Sequence, residues 1–255
     1  MTANFDRGVK AYESGDFETA VANWTPLAEE GNSSAQSALG DLFSYGEGFP
    51  TCNDTALKWY KLAAEQGHVE AQYKLGRAYR IGLGVPQNDI AALKWRTLAA
   101  NKGHVEAQYF QGLVFFKGTG VPQNYETALK WYTLAAEQGH VEAQNILGDL
   151  YSTGKGVPVD YETAVKWFTK AAEQGFTHAQ INLGNMYNCG KGVPQNDKTA
   201  HNWFTKAAEQ GYADAQYLLG NTYDVGMGVP KGYVRDYMWN SLSGHDSSDK
   251  GSKNK

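Results

Sequence analysis

The sequence predicts an all-α solenoid of stacked antiparallel helix pairs, and two regularly spaced features support this fold class. Ala-Ala pairs recur every 36 residues, beginning at Ala63, Ala99, Ala135, Ala171 and Ala207. Glycines follow them at the same spacing, at Gly67, Gly103, Gly139, Gly175 and Gly211. A fixed period of this length is typical of arrays in which each repeat buries its apolar face only against its neighbours.

Each period contains two helical patterns joined by a turn. The first reads AxxxLGxxY, and its apolar members Ala71, Leu75 and Tyr79 are four residues apart, which places them on one helical face. The recurring central glycine, Gly76 in this repeat, indicates a close approach of two helices. A GxGVPxN segment follows, whose glycines and proline favour a turn. The second pattern, DxxxALKWYxLAAEQG, ends at a predicted helix-terminating glycine such as Gly67.

These patterns divide the chain into a short first repeat, six longer repeats and a tail. Residues 1–31 are predicted to form an N-terminal capping repeat similar to a tetratricopeptide repeat, because terminal repeats face water on one side. The longer repeats are predicted at residues 32–67, 68–103, 104–139, 140–175, 176–211 and 212–244. Asp236 replaces a small residue of the pattern, which predicts that its helix is the C-terminal cap. Residues 245–255 are polar and low in complexity, so we expect them to be disordered.

The composition argues against several classes of partner. A net charge of -4 and a pI near 5.9 give no support for binding to nucleic acid or to an anionic membrane. No apolar run is long enough for a signal peptide or a membrane span. Cys52 and Cys189 lie 137 residues apart, so we expect them to be unpaired. We therefore expect a cytoplasmic protein, or a periplasmic or secreted one if an export signal has been removed.

The recurring polar residues do not form a convincing catalytic or metal-binding motif. His68, His104 and His140 are equivalent residues, which helix packing would separate by roughly 8–10 Å, whereas zinc ligands lie about 2 Å from one ion. We expect them to be water-facing residues at helix starts. Ser152 and Lys155 match a Ser-x-x-Lys motif, but neighbouring repeats vary freely at this position and the partner motifs are absent. We therefore expect no catalytic residue, no cofactor and no metal.

The combined pattern AxxxLGxxYxxGxGVxxDxxxAxxWxxxAAxxG resembles the Sel-one-like repeat (SLR) family over residues 32–244. This resemblance implies a right-handed superhelix whose concave surface is built from the first helices of the repeats. It also implies a non-enzymatic adaptor that assembles protein complexes, with members in bacterial signalling and host interaction. Two other functions stay open: an enzyme acting on cell-wall material, such as a hydrolase or a penicillin-binding-type enzyme, and a regulatory module that senses a small ligand.

Differences between repeats indicate where a protein or peptide partner would bind. If the tetratricopeptide register applies, arginine and aromatic residues cluster at groove-facing positions of two adjacent first helices. We call them the six predicted groove residues: Tyr73, Arg77, Arg80, Tyr109, Leu113 and Phe116. Arginine and tyrosine are common anchors in protein interfaces. The alternative is an exposed helix face whose sequence varies without function. We expect the protein itself to be a monomer.

Two polar replacements at apolar positions predict one further contact. Arg96 replaces an aromatic residue and Gln111 replaces a leucine of the pattern. They lie at similar distances on either side of Gly103, so antiparallel packing would bring them to about the same height. Because a buried unpaired polar group costs about 1–3 kcal/mol, we expect these two side chains to face each other, directly or through a water molecule.

Overall fold

The computed structural model describes residues 4–48 and 50–243, and over these residues it contains fourteen α-helices and no strand. The prediction of an all-α protein is therefore confirmed. The chain forms two compact units, Met1–Pro122 and Gln123–Lys255, which are described separately below. The predicted tail at residues 245–255 lies outside the described residues.

In the first compact unit, seven helices follow one another and each packs against the next. They are α1 (Phe5–Glu13), α2 (Phe17–Glu29), α3 (Ser33–Tyr45), α4 (Asn53–Glu65), α5 (Val69–Ile81), α6 (Asp89–Asn101) and α7 (Val105–Lys117). Odd-numbered helices are the first helices of the repeats, and even-numbered helices are the second.

The second compact unit has the same organisation, and again each helix packs against the next. Its helices are α8 (Tyr125–Glu137), α9 (Val141–Thr153), α10 (Tyr161–Glu173), α11 (Thr177–Cys189), α12 (Asp197–Ala208), α13 (Ala213–Val225) and α14 (Tyr233–Leu242). In α14, Tyr233 and Val234 are largely exposed, as expected of a terminal helix with no following repeat.

The helices end where the sequence pattern predicts because glycine accepts a left-handed backbone. Gly82 ends α5 with φ of 73°, and its N–H donates to the carbonyl of Ala78. Gly67, just beyond α4, has φ of 86°. A residue with a side chain is strained in this conformation, which explains why glycine recurs at both points.

The central glycine of each first helix allows a side chain of the paired second helix to pack directly against the backbone. A Cβ atom added to Gly40 would lie 2.5 Å from the ring of Tyr60, and one added to Gly76 would lie 2.7 Å from Cγ of Arg96. The predicted close approach is therefore present. We call the residue that packs under the glycine the crossing residue. Within the two compact units the crossing residues of five long repeats are Tyr60, Arg96, Phe168, Phe204 and Asn240.

A recurring glutamine ties each first helix to the end of the preceding second helix. The buried amide of Gln72 donates to the carbonyl of Ala64 at 3.1 Å, and Gln180 makes the same bond to Ala172 at 3.2 Å. The carbonyl of Ala64 also accepts from the backbone N–H of Gly67 at 2.9 Å, so the glutamine adds a second bond at the end of the helix. Sequence reasoning had assigned the glutamine no role, although it recurs in every long repeat.

Two expectations about individual residues have different outcomes. Cys52 and Cys189 are both free and exposed. The expectation that the repeated histidines face water is wrong, because the side chain of His104 is only 9% exposed and that of His140 only 11%. Their Nδ1 atoms instead accept a hydrogen bond from the first turn of the helix, which makes each histidine an N-cap.

Candidate interaction surface on the first helices

The six predicted groove residues lie on α5 and α7 of the first compact unit. Arg77 and Arg80 are exposed, whereas the side chains of the other four, Tyr73, Tyr109, Leu113 and Phe116, are partly buried. The ring of Tyr73 stacks on His104 with a centroid separation of 4.3 Å, and this contact joins the beginning of α5 to that of α7. Arg80 lies 5.3 Å from the centroid of Phe110, which joins the later parts of the same two helices.

Arg96 extends from α6 to this same surface. It passes under Gly76, and its guanidinium carbon lies 3.9 Å from the ring centroid of Phe110 and 5.8 Å from that of Tyr73. The residue is 4% exposed. Burial lowers the pKa of Arg96 to about 10, and the charges of Arg80 and Arg77 act in the same direction. The guanidinium is nevertheless still charged at neutral pH.

The structure shows no direct hydrogen bond between Arg96 and Gln111, so the direct form of the predicted contact is wrong. The amide of Gln111 donates to Oγ1 of Thr97 at 2.7 Å, so it is satisfied without the guanidinium. Arg96 instead points towards the aromatic rings of α5 and α7. Two residues can lie at the same level of antiparallel helices and still direct their side chains differently. The long side chain of Arg96 extends into the space beside Gly76.

The preceding repeat carries a hydrogen-bonded and charge-balanced network at the equivalent positions. The hydroxyl of Tyr60 donates to Oδ1 of Asp41 at 2.7 Å. Nζ of Lys74 lies 2.7 Å from the same carboxylate and 3.1 Å from Oε1 of Glu70. The hydrogen bond from His104 and the charge of Lys74 lower the pKa of Glu70 to about 2. Each charged group in this network therefore has a partner of opposite charge.

A cavity of about 790 Å³ lies beside the arginine residues within the first compact unit. Arg80 and Phe110 contribute to its wall, together with the apolar side chains of Ile90, Leu93 and Leu113. Ile90 is 85% exposed, and the equivalent residues of the other long repeats are charged except for Val234 in the last one. The cavity therefore combines an apolar wall with charged residues, the cations Arg80 and Lys117 and the carboxylate of Asp89, which suits an amphipathic ligand.

Other polar groups are explained by contacts within the fold. Among the described residues, no cluster of three or more His, Cys, Asp or Glu side chains is arranged to hold a metal ion. The hydroxyl of Ser152 donates to the carbonyl of Asp149 in its own helix. Burial raises the pKa of Asp149 to about 6, and the side-chain amides of Asn182 and Asn145 both donate to this residue. The bond from Asn182 links α11 to α9, whereas the bond from Asn145 lies within α9.

Two of the tryptophans that recur at 36-residue spacing pack against buried clusters. Trp95 contacts the buried cluster around Tyr60 and Leu75, and Trp203 contacts the cluster around Phe168. Sequence reasoning missed that Arg96 belongs with the groove residues. The available signal was its equivalence to Tyr60, which lies 36 residues earlier and packs under the central glycine of its own repeat.

The order of the helices and the repeated glycine contacts agree with a comparison to known families. A family model described as the Sel1 repeat matches residues 33–68, 69–104, 105–140, 141–176, 177–212 and 213–236. The chain is a Sel1-repeat protein. Sel1-repeat proteins generally act as scaffolds for protein interactions. No curated protein matches the chain significantly.

Two solved structures of bacterial proteins are similar to this Sel1-repeat chain. The first is c5321, a protective antigen with an SLR fold present in uropathogenic Escherichia coli strains, at 32% identity and a TM-score of 0.85. The match covers 94% of this chain but only 56% of c5321. The second is a Sel1 repeat protein from Oxalobacter formigenes, at 31% identity and a TM-score of 0.80, with coverage of 97% and 99%. Among the described residues, no helix is long and apolar enough to cross a membrane.

Proposed function

We propose that this Sel1-repeat protein is a non-enzymatic scaffold that binds a peptide or protein partner across the face of α5 and α7. The observation that carries the proposal is the placement of Arg77, Arg80 and Leu113 on adjacent first helices, beside an apolar cavity. Exposed arginine next to apolar and aromatic side chains is the composition of an interface anchor. The general role of Sel1 repeats in protein interactions supports the same function.

Partner capture tests this proposal. We expect Arg77→Ala combined with Phe116→Ala to weaken capture from the native host, because truncating interface anchors typically costs about 2 kcal/mol or more. Captured proteins would be quantified by mass spectrometry. Circular dichroism and thermal melting should show that the double variant stays folded.

The matched control is Asn185→Ala combined with Asn221→Ala, at equivalent positions of later first helices. It should leave capture unchanged. If the control weakens capture as much as the anchor variant, or if neither variant weakens it, the partner binds elsewhere.

A further inference from the structure

Arg96 is a buried cation with unused hydrogen-bond donors. It is 4% exposed, and its Nε and Nη1 atoms are buried without a hydrogen-bond partner among the residues that the structure describes. Burial of an unpaired charged group is costly, and arginine has no neutral form that is accessible at physiological pH. The contacts with the rings of Phe110 and Tyr73 offset part of this cost, since the face of an aromatic ring attracts a cation. They leave the N–H donors unsatisfied.

The preceding repeat shows which group is missing. There, the carboxylate of Asp41 accepts a hydrogen bond from the crossing residue Tyr60. Thirty-six residues later, the crossing residue is Arg96 and the position of Asp41 is occupied by Arg77. In this repeat the neutral donor Tyr60 is thus replaced by the cation Arg96, and the acceptor Asp41 is replaced by a second cation, Arg77. A carboxylate is absent from the position where the fold places one in the neighbouring repeat.

The surroundings of Arg96 favour an anion that arrives from outside. Arg77 and Arg80 are both exposed, and their charges act on Arg96. The positive charges of Arg77 and Arg80 therefore reach Arg96, while the carboxylate of Glu70 on the same helix α5 is already engaged with Lys74 and His104. Arginine holds carboxylates through paired, charge-assisted hydrogen bonds, which become stronger where water is excluded. The apolar wall of the neighbouring cavity, at Ile90 and Leu113, suits an apolar side chain on the same ligand.

We propose that the side-chain carboxylate of a Glu or Asp residue in a partner peptide binds Arg96, with Arg77 and Arg80 beside it. The carboxylate takes the position relative to Arg96 that Asp41 has relative to Tyr60. An apolar residue next to the acidic one enters the cavity at Leu113. This inference rests on the proposed function, since it identifies the chemistry of the peptide that the scaffold would bind.

A peptide selection tests the proposal. A random dodecapeptide library displayed on phage would be selected against the intact protein, and enriched peptides would be synthesised with a fluorescent label. We expect one fixed acidic position next to an apolar residue. Replacing that acidic residue by its amide should weaken binding to the intact protein about 10-fold or more, because it removes a charge-assisted contact. Arg96→Phe should bind the acidic and amide peptides equally.

Matched variants separate this inference from the proposed function. Arg96→Phe uses the residue found at the crossing position in two later repeats, Phe168 and Phe204, and its folding would be checked by thermal melting. Asn221→Ala is the control variant and should keep the preference for the acidic peptide. A phosphoserine peptide that binds more tightly than the acidic one would overturn the assignment to a carboxylate.

Three further outcomes would also overturn the carboxylate site. The first is that no peptide is enriched, and the second is that Arg96→Phe still distinguishes acid from amide. The third is that enriched peptides need no acidic residue. In that last case, loss of binding in the double variant Arg77→Ala and Phe116→Ala would leave the proposed interface intact. Unchanged binding in that double variant would count against both proposals.

Discussion

Two neighbouring repeats each pack a large side chain against the central glycine of the first helix, but one pairs its charges within the chain and the other does not. In the repeat formed by α3 and α4, the crossing residue Tyr60 is neutral and donates to Asp41, which also holds Lys74. In the repeat formed by α5 and α6, the crossing residue Arg96 is charged, and Arg77 replaces the carboxylate. The first arrangement is complete within the chain, whereas the second has donors without an acceptor. This difference is the basis of our proposal that the second arrangement binds a carboxylate from a partner peptide.

The largest expected effect comes from breaking the completed network. Asp41→Ala should lower the free energy of unfolding by about 2 kcal/mol, because it removes an acceptor from Tyr60 and one of two carboxylates from the partly buried Lys74. Urea unfolding at neutral pH would measure the loss.

Asp149→Ala is the matched control, since Asp149 occupies the same position two repeats beyond Arg77. Two neutral amides contact this carboxyl, and burial raises its pKa to about 6, so folding disfavours its charged form although most of the group is still ionised at pH 7. Its removal should cost less than about 1 kcal/mol. If the two variants lose the same amount of unfolding free energy, the ion pair between Asp41 and Lys74 does not contribute to stability.

A smaller, pH-dependent effect is expected at Glu70. Contacts with His104 and Lys74 lower the pKa of Glu70 to about 2 from an ordinary value of 4.5. The ionised group therefore stabilises the folded state above pH 4.5, and this contribution is lost as the pH falls towards 2. Because the side chain of Glu70 is 46% exposed, we expect its ionised form to contribute only about 1 kcal/mol to the free energy of unfolding.

Unfolding of the wild type and of Glu70→Gln at several pH values would measure this contribution. The wild type should be more stable at pH 6, and the two proteins should converge as the pH approaches 2. Glu142→Gln is a suitable control, because Glu142 is the equivalent residue two repeats later. A constant difference between wild type and Glu70→Gln from pH 6 to pH 2 would contradict the role assigned to the carboxylate.

The repeated structural features could be predicted from the sequence, whereas the directions of individual side chains could not. Glycine at positions 67, 76 and 82 could be interpreted because backbone conformation and close approach leave few alternatives. The direction of Arg96 could not be predicted, because a flexible side chain can lie on either side of the helix contact. The burial of His104 was missed for a related reason, since it depends on Tyr73 and Glu70 from the preceding repeat.

The most direct test of the comparison restores the carboxylate within the chain. Arg77→Asp introduces at this position the residue that Asp41 provides in the preceding repeat. Unfolding free energies would be measured for the wild type, Arg77→Asp, Arg96→Phe and the double variant, with Arg77→Ala as a control for the removal of charge repulsion. We expect the change in unfolding free energy caused by Arg77→Asp to be about 1 kcal/mol more stabilising when Arg96 is present than in the Arg96→Phe background. With Arg96 present, Arg77→Asp should also stabilise the protein more than Arg77→Ala does. The same effect in both backgrounds would contradict the claim that Arg96 lacks a carboxylate partner.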